Sequence, residues 1–293
     1  METERLSRQC IQNRASPLAH EATRCAVRLA HGISASRHTT NWLDPVKETS
    51  IWNKPVIQRA DSLRWYEGPI YRYKHRNATL SVNVAHSSWP IRGLAITKAV
   101  VKALKEFKKT APGGPHVLDF GAGSWLRYLA PLRRELPAPN LYAVEFEEAF
   151  RDAAKETREA HAPNVTIWTP SRFRKEERKY DLIVAINVLN TMPEQDHQRD
   201  AFAALATRLN PMGKLFVYQR IWAKGESEDA GGIPYGEGWL VPQSNHPHHT
   251  YRGRVGATWF KAQAERHKLR VISLETTITS SNTFMRAWEK PFD

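Results

Sequence analysis

Short apolar segments alternate with amphipathic segments along most of the chain after residue 91, and this alternation limits the possible folds. The apolar segments are "HVLDF", "NLYAVEF", "NVTIW", "YDLIVAINVL" and "GKLFVYQ". Segments between them carry apolar residues at helical spacing, as in "DHQRDAFAALATRL". Because apolar strands joined by amphipathic helices form parallel sheets covered on both faces, the pattern predicts a doubly wound α/β domain.

The end of the chain adds a helical segment, "GATWFKAQAERH", and two strands, "KLRVISLETTI" and "NTFMRAW". These strands are close enough in sequence to pair as an antiparallel hairpin at the sheet edge. With the five strands before them, they predict a seven-stranded, mostly parallel sheet. Residues 220–255, before the last helix, are polar and contain glycine and histidine, and we predict a lid or substrate loop there.

Residues 1–90 are basic and aromatic and lack a long period of either kind. We predict that they form an N-terminal extension that caps the core or contacts substrate, followed by the main domain at 91–293. Aromatic and basic residues are interleaved here, namely Trp52, Trp65, Tyr66, Tyr71 and Tyr73 with Arg64, Arg72, Lys74 and Arg76. This composition is typical of surfaces that stack bases and contact phosphates, and it also fits rings packed as a cap on the core.

The chain has a strong excess of positive charge, with 43 Lys and Arg against 30 Asp and Glu and a formal net charge of +13. The excess favours polyanionic partners such as nucleic acid, although a basic surface also serves solubility alone. No apolar run reaches the roughly 18 residues of a membrane span. The acidic residues in "METERLSRQC" do not fit a secretory signal. We expect a soluble, cytoplasmic protein without a membrane partner.

The sequence predicts no metal site. Cys10 and Cys25 are the only cysteines, too few for a disulfide scaffold or a thiolate zinc site. His246, His248 and His249 lie within four residues, but no acid or cysteine is close by in sequence. We interpret these histidines as part of a basic or hydrogen-bonding lid, with His249 as a candidate general base.

The stretch "HVLDFGAGSWLRYL" indicates a buried strand, a turn with two glycines and a helix. Ligands of open α/β sheets bind beyond the carboxyl ends of the strands, often at the first such turn. Gly121 and Gly123 would let a ligand approach the backbone closely. The third glycine of a dinucleotide fingerprint would stand at position 126, where the sequence has Leu126, which counts against a nicotinamide cofactor.

Two acids follow the first two strands of the predicted sheet. Asp119 lies near the end of the first strand, where a buried acid is costly unless it meets N–H donors or a cation. Glu145 ends the second strand, where a carboxylate can accept both hydroxyls of a ribose. The turn is therefore predicted to hold a ligand that has both a positive charge and a ribose.

Four segments in this order resemble the class I S-adenosylmethionine-dependent methyltransferases: "VLDFGAG", "LYAVEFEEAF", "YDLIVAINVLNTMPEQD" and "LATRLNPMGKLFVY". The resemblance runs from about Ile91 to Trp288 and implies a Rossmann-like fold and S-adenosylmethionine as cofactor. It also implies that Gly121 and Gly123 line the methionine portion, that Glu145 binds the ribose, and that Asn187 lies beside the cofactor, facing substrate. S-adenosylmethionine would supply the positive charge that Asp119 lacks.

Two positions depart from the family's pattern. Trp125 stands where the family has a third glycine, so its ring either packs on the cofactor or blocks it. The segment "TIWTPSRF" lacks the acid that often holds the adenine amino group.

The chemistry expected of such a protein is an in-line displacement, for which alignment of the reacting atoms matters most. No Asp-Pro-Pro-Tyr motif follows the fourth strand, which counts against the amino-methylating DNA enzymes, and no Pro-Cys nucleophile occurs. Asn187 and Asn190 are candidate substrate contacts, or else turn-forming and capping residues.

Three functions remain open at this stage. The charge slightly favours a methyltransferase acting on nucleic acid or on a nucleic-acid-associated substrate. The N-terminal segment and the predicted lid favour a small-molecule methyltransferase. Trp125 favours a non-catalytic partner subunit.

Overall fold

A computed structural model describes residues 57–85, 114–123, 129, 133, 140–146, 164–222, 224–244, 246–272 and 283–292, without the side chains of 283–286. Trp52, Trp125 and most of the helices predicted before the first strand and after the first two strands lie outside these ranges. The described residues all belong to one unit, Lys54–Asp293.

The described strands and helices are named in chain order. The strands are β1 (Gln58–Arg59), β2 (Ile70–His75), β3 (Ala78–Asn83), β4 (His116–Phe120), β5 (Asn140–Val144), β6 (Thr166–Trp168), β7 (Tyr180–Ile186), β8 (Leu209–Arg220), β9 (Ile233–Tyr235), β10 (Gly238–Pro242), β11 (His249–Gly253), β12 (Arg270–Ile272) and β13 (Thr283–Glu289). The helices are α1 (Pro170–Lys175), α2 (Gln195–Thr207), α3 (Lys224–Asp229) and α4 (Ala257–Arg266), and a 3-10 helix spans Leu189–Thr191. None of the helices in the described ranges is long and apolar enough to span a membrane.

The main sheet has seven strands in the order β12-β13-β8-β7-β4-β5-β6. Its strands from β4 to β8 are parallel, whereas β13 is antiparallel to both β8 and β12. The predicted doubly wound sheet with an antiparallel C-terminal hairpin is therefore confirmed. Because the chain continues from β4 to β5 on one side and returns to β7 on the other, the strand order reverses at β4, where ligands of such sheets bind.

Both faces of the main sheet are buried, as a parallel sheet requires. Leu118, Ile183 and Val217 face one core, together with Phe202 of α2 and Phe260 of α4. On the other face, alternate residues of the same strands form a second apolar cluster, which includes Val117, Leu182, Val184 and Phe216. The alternation fixes the direction of each side chain at the carboxyl ends of the strands.

A second, six-stranded sheet has the order β1-β2-β3-β11-β10-β9. It unites two distant parts of the chain, because β3 pairs in parallel with β11 through Val82 and His249. The loop predicted at 220–255 is therefore wrong in its secondary structure, since this segment contains α3 and three strands. The strands were missed because "GWLVP" of β10 is buried on both faces and shows no alternation.

The domain boundary near residue 91 stays a prediction, since residues 86–113 lie outside the described ranges.

Three of the aromatic side chains in the N-terminal segment are buried. Trp65, Tyr71 and Tyr73 are exposed by only 2%, 0% and 0%. Trp65 joins the core of the main sheet, while the two tyrosines pack with Leu240 and Tyr251 in the second sheet. Trp65 therefore packs on the core as one of the two alternatives predicted, whereas the two tyrosines pack within the second sheet, and none of the three rings can form a base-stacking surface.

Polar contacts join the second sheet to the start of α2. The hydroxyls of Tyr73 and Tyr235 both donate to Oε1 of Glu194 at 2.8 Å. Tyr71 is hydrogen-bonded to Nδ1 of His197 at 3.2 Å. Because these groups lie between the two sheets, they hold the second sheet close to the carboxyl edge of the main sheet.

Candidate active site

The turn after β4 depends on two glycines with a positive φ, +73° at Gly121 and +67° at Gly123. A Cβ on Gly121 would lie 2.3 Å from Cγ2 of Val188, so a protein side chain already fills that space. A Cβ on Gly123 would meet no described atom within 4 Å. Gly121 is therefore required by packing within the protein, whereas Gly123 leaves room for a ligand at the backbone.

Glu145 connects the end of β5 to this turn. Its Oε2 accepts a hydrogen bond from the N–H of Gly123, and its Oε1 accepts one from the N–H of Phe146, both at 2.8 Å. Each carboxylate oxygen has a second lone pair available for another donor. The geometry leaves Glu145 able to accept ribose hydroxyls, and that role stays a prediction.

Two buried acids meet beside the turn. Asp119 is 1% exposed, and its Oδ2 has no hydrogen-bond partner among the described residues. Burial, and then the charge of Glu145, raises the pKa of Asp119 to about 7. Burial also raises the pKa of Glu145 to about 7, although the two backbone N–H groups lower it. A cation bound nearby would favour the charged form of both acids.

Asn187 and Asn190 follow β7 and hold the end of β8. The Oδ1 of Asn187 accepts a hydrogen bond from the N–H of Arg220 at 2.8 Å. The Nδ2 of Asn190 donates to the carbonyl oxygen of Arg220 at 3.0 Å. Asn187 has φ +53°, and the next residue, Val188, covers Gly121. The structure therefore brings Asn187 to the glycine turn, where its side chain positions the backbone. Direct contact of either asparagine with substrate stays a prediction.

His249 is not brought to the same place. It lies at the start of β11, half-buried, and burial lowers its pKa. The end of β11 that reaches the site is Gly253, where a Cβ would lie 2.8 Å from the carbonyl oxygen of Asn190. His249 is four residues away, about 13 Å along an extended strand. Its role as a general base stays a prediction. In the part of the chain that the structure describes, no group of His, Cys, Asp and Glu could hold a metal ion.

Two arginines and a tryptophan form a cluster near Asn187 that no sequence motif predicts. The guanidinium carbons of Arg220 and Arg252 lie 4.1 Å and 4.2 Å from the centre of the Trp222 ring. All three residues lie within the range predicted as a lid or substrate loop, 220–255. Their proximity depends on the pairing of the second sheet, which no short motif reveals.

Comparison with known families agrees with this architecture. Residues 118–215 match a family model described as a methyltransferase domain. This match agrees with the resemblance to methyltransferases that the sequence motifs indicate. The matched range begins in β4 and ends in β8, so it contains the glycine turn, Glu145 and Asn187. The methyltransferase domain is thus matched over the strands that form the candidate site.

Several solved structures are similar to this chain at low sequence identity. The PH0226 protein from Pyrococcus horikoshii has a TM-score of 0.51 and 14% identity, over 67% of this chain and 90% of that chain. An S-adenosylmethionine-dependent methyltransferase from Clostridium acetobutylicum has a TM-score of 0.49 and 13% identity, over 67% and 91%. An O-methyltransferase family protein from Burkholderia thailandensis has a TM-score of 0.45 and 16% identity over 67% of this chain, and this chain spans 58% of its length. No curated protein matches the chain significantly.

S-adenosylmethionine is the cofactor expected for a methyltransferase domain, and the described residues fit it. The backbone at Gly123 is open to a ligand. The Oδ2 of Asp119 is buried without a partner, and a sulfonium or ammonium would supply the missing positive charge. Glu145 keeps lone pairs for ribose hydroxyls. Trp125, whose ring is predicted either to pack on the cofactor or to block it, lies outside the described residues.

Proposed function

We propose that this chain transfers a methyl group from S-adenosylmethionine to a small molecule by direct in-line displacement. The observation that carries the proposal is the contact between the second sheet and the candidate site, where Gly253 lies against Asn190. Residues 57–85 and 233–253 form this second sheet together. The second sheet would cover a small acceptor bound at the carboxyl ends of the main sheet's strands.

The bound cofactor supplies a methyl group that its sulfonium has already activated. The protein's own task is to align the acceptor and exclude water. Asp119 and Glu145 would hold the cationic and ribose portions. Asn187 and Asn190 keep the ends of β7 and β8 in place. A general base is needed only if the acceptor loses its proton in the reaction.

The test is calorimetry with S-adenosylmethionine on the wild type, on Glu145→Gln and on Glu177→Gln as a matched control. Glu177 is exposed and precedes β7 at the opposite edge of the sheet. Hydrogen bonds to charged groups contribute about 1.5–3 kcal/mol, so Glu145→Gln should weaken binding by about 10- to 100-fold. Glu177→Gln should bind as the wild type does. No binding by the wild type would refute the enzymatic proposal and leave a non-catalytic partner subunit.

A nucleic-acid acceptor is the second candidate, favoured by the net charge of +13 and by the exposed Arg72, Lys74 and Arg76. It loses support because Trp65, Tyr71 and Tyr73 are buried. Oligonucleotide binding that weakens steeply with salt would support it, because each phosphate contact releases counterions. Binding that is absent or insensitive to salt would favour the small molecule.

A further inference from the structure

One face of the second sheet points away from its buried tyrosines. Trp239 pairs with Arg252 and Val241 pairs with Thr250, so these four side chains share that face. Helix α3 lies over it, because Nη1 of Arg252 donates to the carbonyl oxygen of Glu226 at 3.1 Å. The face is therefore enclosed between β10, β11 and α3.

Four polar atoms on this face and on α3 are buried and have no hydrogen-bond partner among the described residues: Nε1 of Trp239, Oγ1 of Thr250, Nε of Arg252 and Oγ of Ser227. Ser227 belongs to α3, and a Cβ on Gly232 would lie 2.5 Å from its backbone carbonyl oxygen and 3.1 Å from Cγ2 of Val241, so this part of α3 lies close to the face. Buried polar groups in folded proteins nearly always have a partner, so four together require an explanation.

The chemistry of these atoms indicates what is missing. The indole N–H and the guanidinium N–H can only donate, and the two hydroxyls can donate as well. Thr250 is 4% exposed and Ser227 is 0% exposed, so bulk water does not satisfy them. A group with several acceptor oxygens would match this set of donors.

The charge around these donors is positive. The guanidinium carbons of Arg220 and Arg252 lie 4.1 Å and 4.2 Å from the centre of the same Trp222 ring, and Glu226 bonds Arg220 at 2.7 Å. These two arginines and one acid have a net charge of +1. Burial, and then the charge of Arg220, lowers the pKa of Arg252 despite the opposing effect of Glu226. An additional anion would relieve the repulsion between the two guanidiniums.

The cluster lies beside the candidate site. Asn187 and Asn190 hold the backbone of Arg220. Gly253, next to Arg252 in sequence, lies against the carbonyl oxygen of Asn190. A group bound by both arginines would therefore lie near the turn that covers Gly121.

We propose that the methyl acceptor carries an anionic group, a carboxylate or a phosphate, and that Arg220 and Arg252 bind this group beside Trp222. Trp239 and Thr250 supply further donors behind the guanidiniums. The assignment of the anion to a methyl acceptor rests on the proposed function, whereas the anion site itself can be measured without it. Arginine suits this role because its planar fork binds carboxylates and phosphates through two hydrogen bonds.

The test uses inorganic phosphate and acetate as probes, each added against chloride at constant ionic strength. Binding is followed by thermal unfolding and by the ¹⁵N–¹H resonances of the arginine Nε–H groups. We expect one or both probes to raise the unfolding midpoint of the wild type and to shift the Arg252 resonance. The probe that binds more tightly identifies the anionic group. No response to either probe would overturn the proposal.

Arg252→Gln should weaken binding of the probe by about tenfold or more, because it removes a charged bidentate donor. Arg178→Gln is the matched control, since Arg178 also lies over an aromatic ring, 5.0 Å from the centre of Tyr142, but precedes β7 at the opposite edge. Equal losses in the two variants would overturn the proposal.

Thr250→Val provides an independent test that does not depend on how well Arg252→Gln folds. If the Thr250 hydroxyl lacks a partner until the anion binds, valine should stabilise the anion-free protein and weaken anion binding. A loss of stability without anion, with unchanged anion affinity, would indicate a structural water instead and would overturn the inference.

Calorimetry of the wild type with S-adenosylmethionine separates the two proposals. Cofactor binding without anion binding refutes only the inference, and the reverse result refutes only the methyltransferase proposal.

Discussion

Alanine substitutions at Gly121 and Gly123 should have different effects although both residues have a positive φ. A residue with a Cβ pays about 1–2 kcal/mol in this region of φ and ψ, and both substitutions incur that cost. Only at Gly121 would the new Cβ collide with the protein, 2.3 Å from Cγ2 of Val188. Overpacking of this kind costs about 1–3 kcal/mol, and Val188 cannot easily turn away because its χ1 is restricted. Gly121→Ala should therefore destabilise by about 2–5 kcal/mol and Gly123→Ala by about 1–2 kcal/mol.

Urea unfolding followed by circular dichroism measures both values, and a double-mutant cycle tests their cause. Val188→Ala should recover about 1–3 kcal/mol in the Gly121→Ala background, because it removes the collision but leaves the backbone cost. The same substitution should recover nothing in the Gly123→Ala background. Calorimetry should show the opposite order for cofactor affinity. Gly123→Ala should lose more affinity than Gly121→Ala, because the backbone at Gly123 is open to a ligand. Equal destabilisation by the two alanines, or no coupling to Val188, would refute the described packing of the turn.

Three further results are expected. Burial raises the pKa values of Asp119 and Glu145 to about 7 in the folded protein, against about 4 in the unfolded chain. The folded protein therefore holds these protons more tightly, and its stability should decrease as the pH rises from about 4 to 7. The affinity for the cationic cofactor should rise from about pH 6 to 8, and a flat profile by calorimetry would contradict this. Asn187→Ala should lower the free energy of unfolding by about 1–3 kcal/mol, since the N–H of Arg220 loses its acceptor, and an unchanged urea midpoint would contradict it. Glu194→Ala leaves two phenol hydroxyls without their acceptor and should cost about 2–4 kcal/mol, while Glu194→Gln should cost less because an acceptor oxygen remains.

The main sheet could be predicted because its signals are local. Each strand is a short apolar run, and each helix shows its own period, so the order of elements reveals the doubly wound class. The glycine turn and Glu145 were found in the same way, since ligand sites in such sheets occur at the carboxyl ends of strands. These features depend on a few neighbouring residues and on general rules of topology.

The second sheet could not be predicted because its evidence is not local. Tyr71 and Tyr73 alternate with charged residues along β2, but nothing in that segment shows that β11 is the neighbour of β3. Arg220 and Arg252 are brought together only by that pairing. The asparagines after β7 were found, yet their hydrogen bonds to Arg220 depend on where β8 ends, which the sequence defines only loosely.

The pairing of β3 with β11 has a consequence for biosynthesis. Ser81 and His248, whose side chains are 2.8 Å apart, are separated by 167 residues of chain. A ribosome releases the early hairpin long before its neighbouring strand exists, so the aromatic face of β2 stays uncovered while strands β4 to β10 are translated. Contacts so distant in sequence form slowly, and exposed strand edges invite aggregation in the interval. Truncation before residue 249 should therefore yield chains that depend on chaperones and are degraded rapidly in cells.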